Sequence, residues 1–207
     1  MWVCLIGAPG TCKAAVAERI RRDVGFIVER EAARPLIFEA FDKDQRQVAF
    51  PLQLALMLAR YRLQRDLQKR AQEEDILQVR SFWDTQYVYT TTLYARGYLT
   101  VDQLMHLQEI SMTLASTLEA PTAVIYLHGT PMMTGDRMAL SGQKQHDEER
   151  LVLTSAYQTF SRMIRVPVID VEVRDAFEAM IEEVKVGLDS ARATSRSVSL
   201  WPREFLK

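Results

Sequence analysis

The sequence predicts a three-layer α/β/α domain built on a five-stranded parallel sheet. Five short apolar runs alternate with helical patterns over most of the 207 residues, the order that places helices on both faces of a parallel sheet. The first run passes through a glycine-containing loop straight into a helix. Ala123-Val124-Ile125-Tyr126-Leu127 is apolar without a break, as a strand covered on both faces must be.

Trp2 to Ile6 reads as the first strand and Ala14 to Arg22 as the first helix. Gly25 leads into a second short strand, Phe26-Ile27-Val28. Ala49 to about Gln72 is a long amphipathic helix, with Leu52, Leu56, Ala59 and Leu63 at helical spacing and charges on the other face. Asp75 to Val79 is the third strand. Phe82 to Arg96 is a helix closed by Gly97, and Thr100 with Asp102 opens another that runs to about Leu118. After the fourth strand, Thr130 to Leu140 is helical and Ser141 to His146 a polar loop. Asp147 to Met163 is a helix, Val166 to Val171 the fifth strand, and residues 174–189 the last helix. No repeat, low-complexity tract or linker interrupts the chain. One domain over residues 1–190 is expected, followed by a tail over 191–207 that carries Trp201, Phe205 and Leu206.

Hydrophobic residues make up 48% and charged residues 26% of the chain, the balance of a globular protein with a core. A formal net charge of −1 gives no electrostatic case for a nucleic-acid partner or a membrane surface. Cys4 and Cys12 make neither a disulfide framework nor a metal site. No apolar stretch approaches the roughly 18 residues of a membrane span. Met1 leads directly into the first strand, which shows no secretory signal and argues against a cleaved presequence in this chain, with a presequence already removed or an internal import signal as the alternatives.

Residues 7–14 read Gly-Ala-Pro-Gly-Thr-Cys-Lys-Ala. The phosphate-binding pattern is G-x-x-x-x-G-K-[ST], in which backbone N–H groups cradle phosphates and the final hydroxyl ligates Mg²⁺. Gly7 and Lys13 stand at the right separation, and the strand-before, helix-after context fits. Cys12 replaces the second glycine and Ala14 the hydroxyl residue. Gly7, Gly10 and Lys13 are the loop residues expected to meet a nucleotide.

With Phe41-Asp42-Lys43-Asp44, Ala49 to Gln53, Arg80-Ser81 to Tyr87, Leu93 to Gly97 and Val124 to Leu127 in this order, the chain resembles the deoxynucleoside kinase family up to about residue 190. The resemblance implies a P-loop nucleoside-kinase fold, of the same three-layer type. It implies that Gln53 reads the edge of a nucleobase, and that Arg60, two helical turns further along the same face, helps to hold it; two polar residues on an exposed helix face is the plainer alternative. It makes Glu29 the base that accepts the proton of the nucleoside 5′-hydroxyl. Glu31 could fill that slot, and Glu29 could equally be a solvated strand-end acid. Arg80 matches the arginine that contacts the reacting region of the substrate.

The departures fall on one function. Val79 stands where the family has its magnesium-placing acid, and Ala14 where it has the hydroxyl ligand. The lid over the donor phosphates keeps Arg137 alone of its expected arginines, with Lys144 nearby. Asp42 replaces a sugar-gripping tyrosine, and His146 stands at an acidic sugar contact. In phosphoryl transfer the metal neutralises developing charge, and one arginine contributes about 10³–10⁵ in rate. No protein metal site is therefore expected, with magnesium a cofactor only if the protein is active; Asp84 or Asp75 is the alternative acid that would restore it. The leading expectation is a catalytically inactive kinase-like protein, an accessory subunit of a larger assembly such as mitochondrial respiratory complex I, keeping a bound nucleotide. An active deoxynucleoside kinase and a nucleotide-sensing module are the alternatives. Expected partners are protein subunits or a second copy, together with a nucleoside or nucleotide. His106 and His128 read as structural, and Tyr87, Tyr89, Tyr94 and Tyr98 as packing residues.

Overall fold

The computed structural model describes residues 1–30, 35–130 and 147–194. Five strands, β1 (Trp2–Ile6), β2 (Ile27–Arg30), β3 (Ile76–Val79), β4 (Ala123–His128) and β5 (Val168–Glu172), form one sheet in the order β2-β3-β1-β4-β5. Every pairing is parallel, as the strand–helix alternation predicts. The helices are α1 (Lys13–Val24), α2 (Pro35–Lys43), α3 (Gln45–Arg70), α4 (Phe82–Asp84), α5 (Thr91–Ala95), α6 (Val101–Ala115), α7 (Asp147–Met163) and α8 (Phe177–Thr194). A π-helical segment, Thr85–Thr90, joins α4 to α5.

The pleat divides the core into two layers. Trp2, Cys4 and Ile6 of β1 pack with Met57, Leu67, Phe82, Val88, Leu107 and Tyr157 from α3, the 82–95 segment, α6 and α7. Val3 and Leu5 point the other way, into Val16, Ile20, Val184 and Leu188 of α1 and α8. Gly187 lets α8 approach β5, since a Cβ there would fall 2.5 Å from Ile169 Cγ2. Among the described residues no helix is long and apolar enough to cross a membrane.

The element boundaries differ from expectation in places with identifiable causes. α3 starts at Gln45 because Asp44 Oδ1 accepts from Gln47 N at 3.0 Å, a cap that precedes the periodic apolar residues. α2, with Pro35 at its first position, was not foreseen; nine residues leave too short a run for periodicity to register. Phe26 belongs to the core but not to β2; Arg192 lies over its ring. α8 extends to Thr194, past the expected boundary at 190. The expected helix over 130–140, the lid and residues 195–207 of the expected tail fall outside the described residues, Thr130 excepted; residues 191–194 continue α8.

Candidate nucleotide site

β1 is the central strand. The connection from β1 goes to β2 on one side, and the later strands go to the other, so the loop after β1 lies where the winding reverses. In open parallel sheets the carboxyl ends of the strands at that point form the ligand crevice. Gly7 is required there, because a Cβ would lie 2.3 Å from Leu127 O. Cys12 caps α1 in the left-handed region, at φ 58° and ψ 21°, the conformation a glycine adopts without penalty. The loop backbone thus keeps its glycine-type turn although a side chain has been added.

Lys13 folds back over this loop. Its ammonium donates to Gly7 O at 2.7 Å, Ala8 O at 2.6 Å and Thr11 Oγ1 at 3.2 Å. Burial, and next the neighbouring Arg80 charge, lower its pKa to about 7 against the partial opposition of Asp84. Arg80 follows β3 with φ 66°, another non-glycine residue in the left-handed region. Such geometry concentrates at functional sites because it costs about 1–3 kcal/mol and must be over-determined by its surroundings.

The acid beside these cations is Asp84, which is fully buried. It accepts from Ser81 N at 3.0 Å, Ser81 Oγ at 2.5 Å and, across the molecule, Tyr157 Oη at 2.9 Å. Ser81 Oγ in turn accepts from Asp84 N, completing a capping box. The Ser81-x-x-Asp84 spacing was visible in the sequence; the link to Tyr157, 73 residues on, was not. Asp75 lies before β3, at the amino-terminal end of the strands and away from the loop, paired with Arg192 of α8.

Gln53 and Arg60 are both 2% exposed, so they do not form an exposed polar helix face. Arg60 Nη1 donates to Thr85 Oγ1 at 2.6 Å, and Thr90 Oγ1 donates to Gln53 Oε1 at 3.5 Å. Gln64, buried on the same helix, accepts from Phe82 N at 3.2 Å. The buried face of α3 is polar where it meets the π-helical segment, and π-helical turns are frequent at functional sites. Tyr89 joins this polar face to the end of β3: Arg60 Cζ lies 5.9 Å and Arg80 Cζ 5.5 Å from its ring centroid.

Glu29 is placed differently from the rest. Its carboxylate accepts from Arg70 Nη1 at 2.7 Å, in the last turn of α3, where Glu74 and Asp66 also converge. The structure does not draw Glu29 into the Lys13–Arg80 cluster. Arg137, Glu31, Lys144 and His146 lie outside the described residues. Tyr87 stacks on Phe160 and Tyr98 meets Phe41 edge-on, which is packing, while Tyr94 is exposed.

The magnesium ion that the family resemblance implies finds poor donors. Ala14 is exposed and carries no oxygen, and Val79 packs into the apolar α1–α8 layer. Thr11 Oγ1 is engaged with Ala8 O at 2.8 Å and with Lys13. Among the described residues no three His, Cys, Asp or Glu side chains gather to hold a metal. The residues present do not fit an inner-sphere protein site.

Residues 3–185 match the family described as deoxynucleoside kinase. No curated protein is significantly similar to the chain. Among solved structures, deoxyadenosine kinase from M. mycoides with bound dATP superposes with a TM-score of 0.80 at 19% identity, covering 91% of this chain and all of that one. The same enzyme with the products dCMP and dCDP gives a TM-score of 0.77 at 19% identity, and with bound dCTP 0.78 at 18%; each covers 92% of this chain and all of the other. At these identities the superpositions establish the fold, and the family match over most of the chain establishes descent. This chain belongs to the deoxynucleoside kinase family.

Proposed function

We propose that this protein is a deoxynucleoside kinase, transferring a phosphoryl group from a nucleoside triphosphate to the 5′-hydroxyl of a deoxynucleoside. One observation carries the reading: the Tyr89 ring lies between Arg60, on the buried polar face of α3, and Arg80, which neighbours Lys13 at the loop. A nucleoside seated against Gln53 and Arg60 would present its sugar end toward Arg80, and Lys13 would meet the donor phosphates. The family match supports the same reading.

In the proposed assignment Gln53 and Arg60 orient the base, Arg80 and Lys13 neutralise phosphate charge, and Gly7 and Gly10 let backbone N–H groups approach the phosphates. Arg137 would add charge from the lid. Glu29 acts as base only if it leaves Arg70, which makes Glu31 the competing candidate. Turnover is expected well below the roughly 1–100 s⁻¹ of kinases, because both oxygen ligands for the metal are replaced by apolar side chains.

Ala14 and Val79 also favour a second reading, a binding protein without turnover. It would act as an accessory subunit, as in respiratory complex I, or as a nucleotide sensor. Quantifying 5′-monophosphate from each deoxynucleoside, ATP and Mg²⁺ separates the two: product that vanishes in Lys13→Ala supports the kinase, and ligand binding with no product supports the second reading.

A further inference from the structure

We propose that Lys13 and Arg80 hold the nucleotide phosphates without any inner-sphere protein ligand for magnesium, so that nucleotide binding is indifferent to divalent cations. The inference rests on the nucleotide-binding reading above, and changes what that site requires.

Among the described residues around the loop, each oxygen that could serve the metal is absent or engaged. Position 14 is alanine on the exposed side of α1, and position 79 is valine within the apolar layer. The Asp84 carboxylate lies beside the cations, but both of its oxygens are already accepting, from Ser81 and from Tyr157. Asp75 lies at the amino-terminal end of β3, the end of the sheet opposite the loop, with Arg192.

Positive charge is already concentrated in the same place. Lys13 and Arg80, both half-buried, repel one another, and this adds to burial in depressing the Lys13 pKa. A dication brought among them adds to that repulsion. A metal-free triphosphate, carrying more negative charge than its magnesium complex, relieves it. Magnesium keeps several waters and is commonly held through one or two carboxylates as well as phosphates. Without such a carboxylate, the ion can accompany the nucleotide only through phosphate oxygens and water.

Isothermal titration of the full chain with ATP and with dATP, in excess EDTA and in millimolar Mg²⁺, tests this. The expected dissociation constant in EDTA is within threefold of that in Mg²⁺, or tighter. Binding more than threefold weaker in EDTA overturns the inference and leaves the nucleotide-binding reading intact. Folded protein that binds neither nucleotide in either buffer overturns both. In Ala14→Ser/Val79→Glu, restored oxygens should make binding at least tenfold tighter in Mg²⁺ than in EDTA. Should the glutamate prevent folding, Ala14→Ser alone should give at least a threefold preference. A folded variant as indifferent to magnesium as the wild type contradicts the assignment of these positions.

Discussion

Arg60 and Arg80 meet across the ring of Tyr89, their guanidinium carbons 5.9 and 5.5 Å from its centroid. One arginine belongs to the pocket on α3 and the other to the end of β3, so one aromatic side chain aligns both halves of the site. Each cation–π contact contributes about 0.5–1 kcal/mol, more when desolvated. Tyr89→Leu should therefore lower stability by about 1–2 kcal/mol in urea unfolding. It should also weaken nucleoside and nucleotide binding together; weakening of one ligand alone would show that Tyr89 does not couple the two halves.

The Arg60–Thr85 bond is a buried hydrogen bond from a charged donor. Such bonds are worth about 1.5–3 kcal/mol, and Thr85→Val removes the acceptor with little change in shape. Urea midpoints should fall accordingly, while Thr85→Ser should stay near the wild type. Equal losses in both variants would indicate a packing role for the threonine methyl.

In the proposed site Lys13 would meet phosphate as the ammonium, and its pKa is lowered to about 7, chiefly by burial. Above pH 7 the free protein must take up a proton on binding, so affinity should fall by up to about tenfold per pH unit. Titrations at pH 8 in buffers of different ionisation enthalpy should show this uptake. The stability trend of the unliganded protein has the opposite sign. Between the folded pKa and the unfolded value of 10.5 the unfolded chain holds more protons at this residue, so its contribution rises with pH over that window. A flat affinity profile from pH 6 to 8.5 would contradict the role given to Lys13.

Cys12 occupies a left-handed conformation that costs a non-glycine residue about 1–2 kcal/mol. Glycine removes that cost but adds roughly 0.5–1 kcal/mol of unfolded-state freedom. Cys12→Gly should leave stability unchanged or raise it by up to about 1.5 kcal/mol, the difference between the two effects. It should also tighten phosphate binding, and calorimetric unfolding checks the first part. A loss above about 1 kcal/mol would mean that the Cys12 side chain supports the loop.

β1 and β4 were legible because buried parallel strands are apolar on both faces, as Val3 and Cys4 in opposite core layers illustrate; the edge strands β2 and β5, part exposed, were marked by short β-branched runs between helical patterns. The Gly7–Lys13 loop was legible from spacing. The π-helical turn over Thr85–Thr90 was not, since its extra residue per turn is a backbone event that side-chain periodicity over six residues cannot register. The place of Asp84 was equally hidden, because Tyr157 reaches it from a distant part of the chain. Gln53 and Arg60 were identifiable as candidates, but only the packing of α3 on the π-helical segment shows them buried and shows that Tyr89 carries both arginines.

The most direct test is ATP-dependent phosphorylation of deoxynucleosides by the purified chain, with 5′-monophosphate separated and quantified. The account predicts slow product formation that is lost in both Lys13→Ala and Arg60→Ala. Folded protein that binds nucleoside and ATP yet forms no monophosphate over prolonged incubation would contradict it.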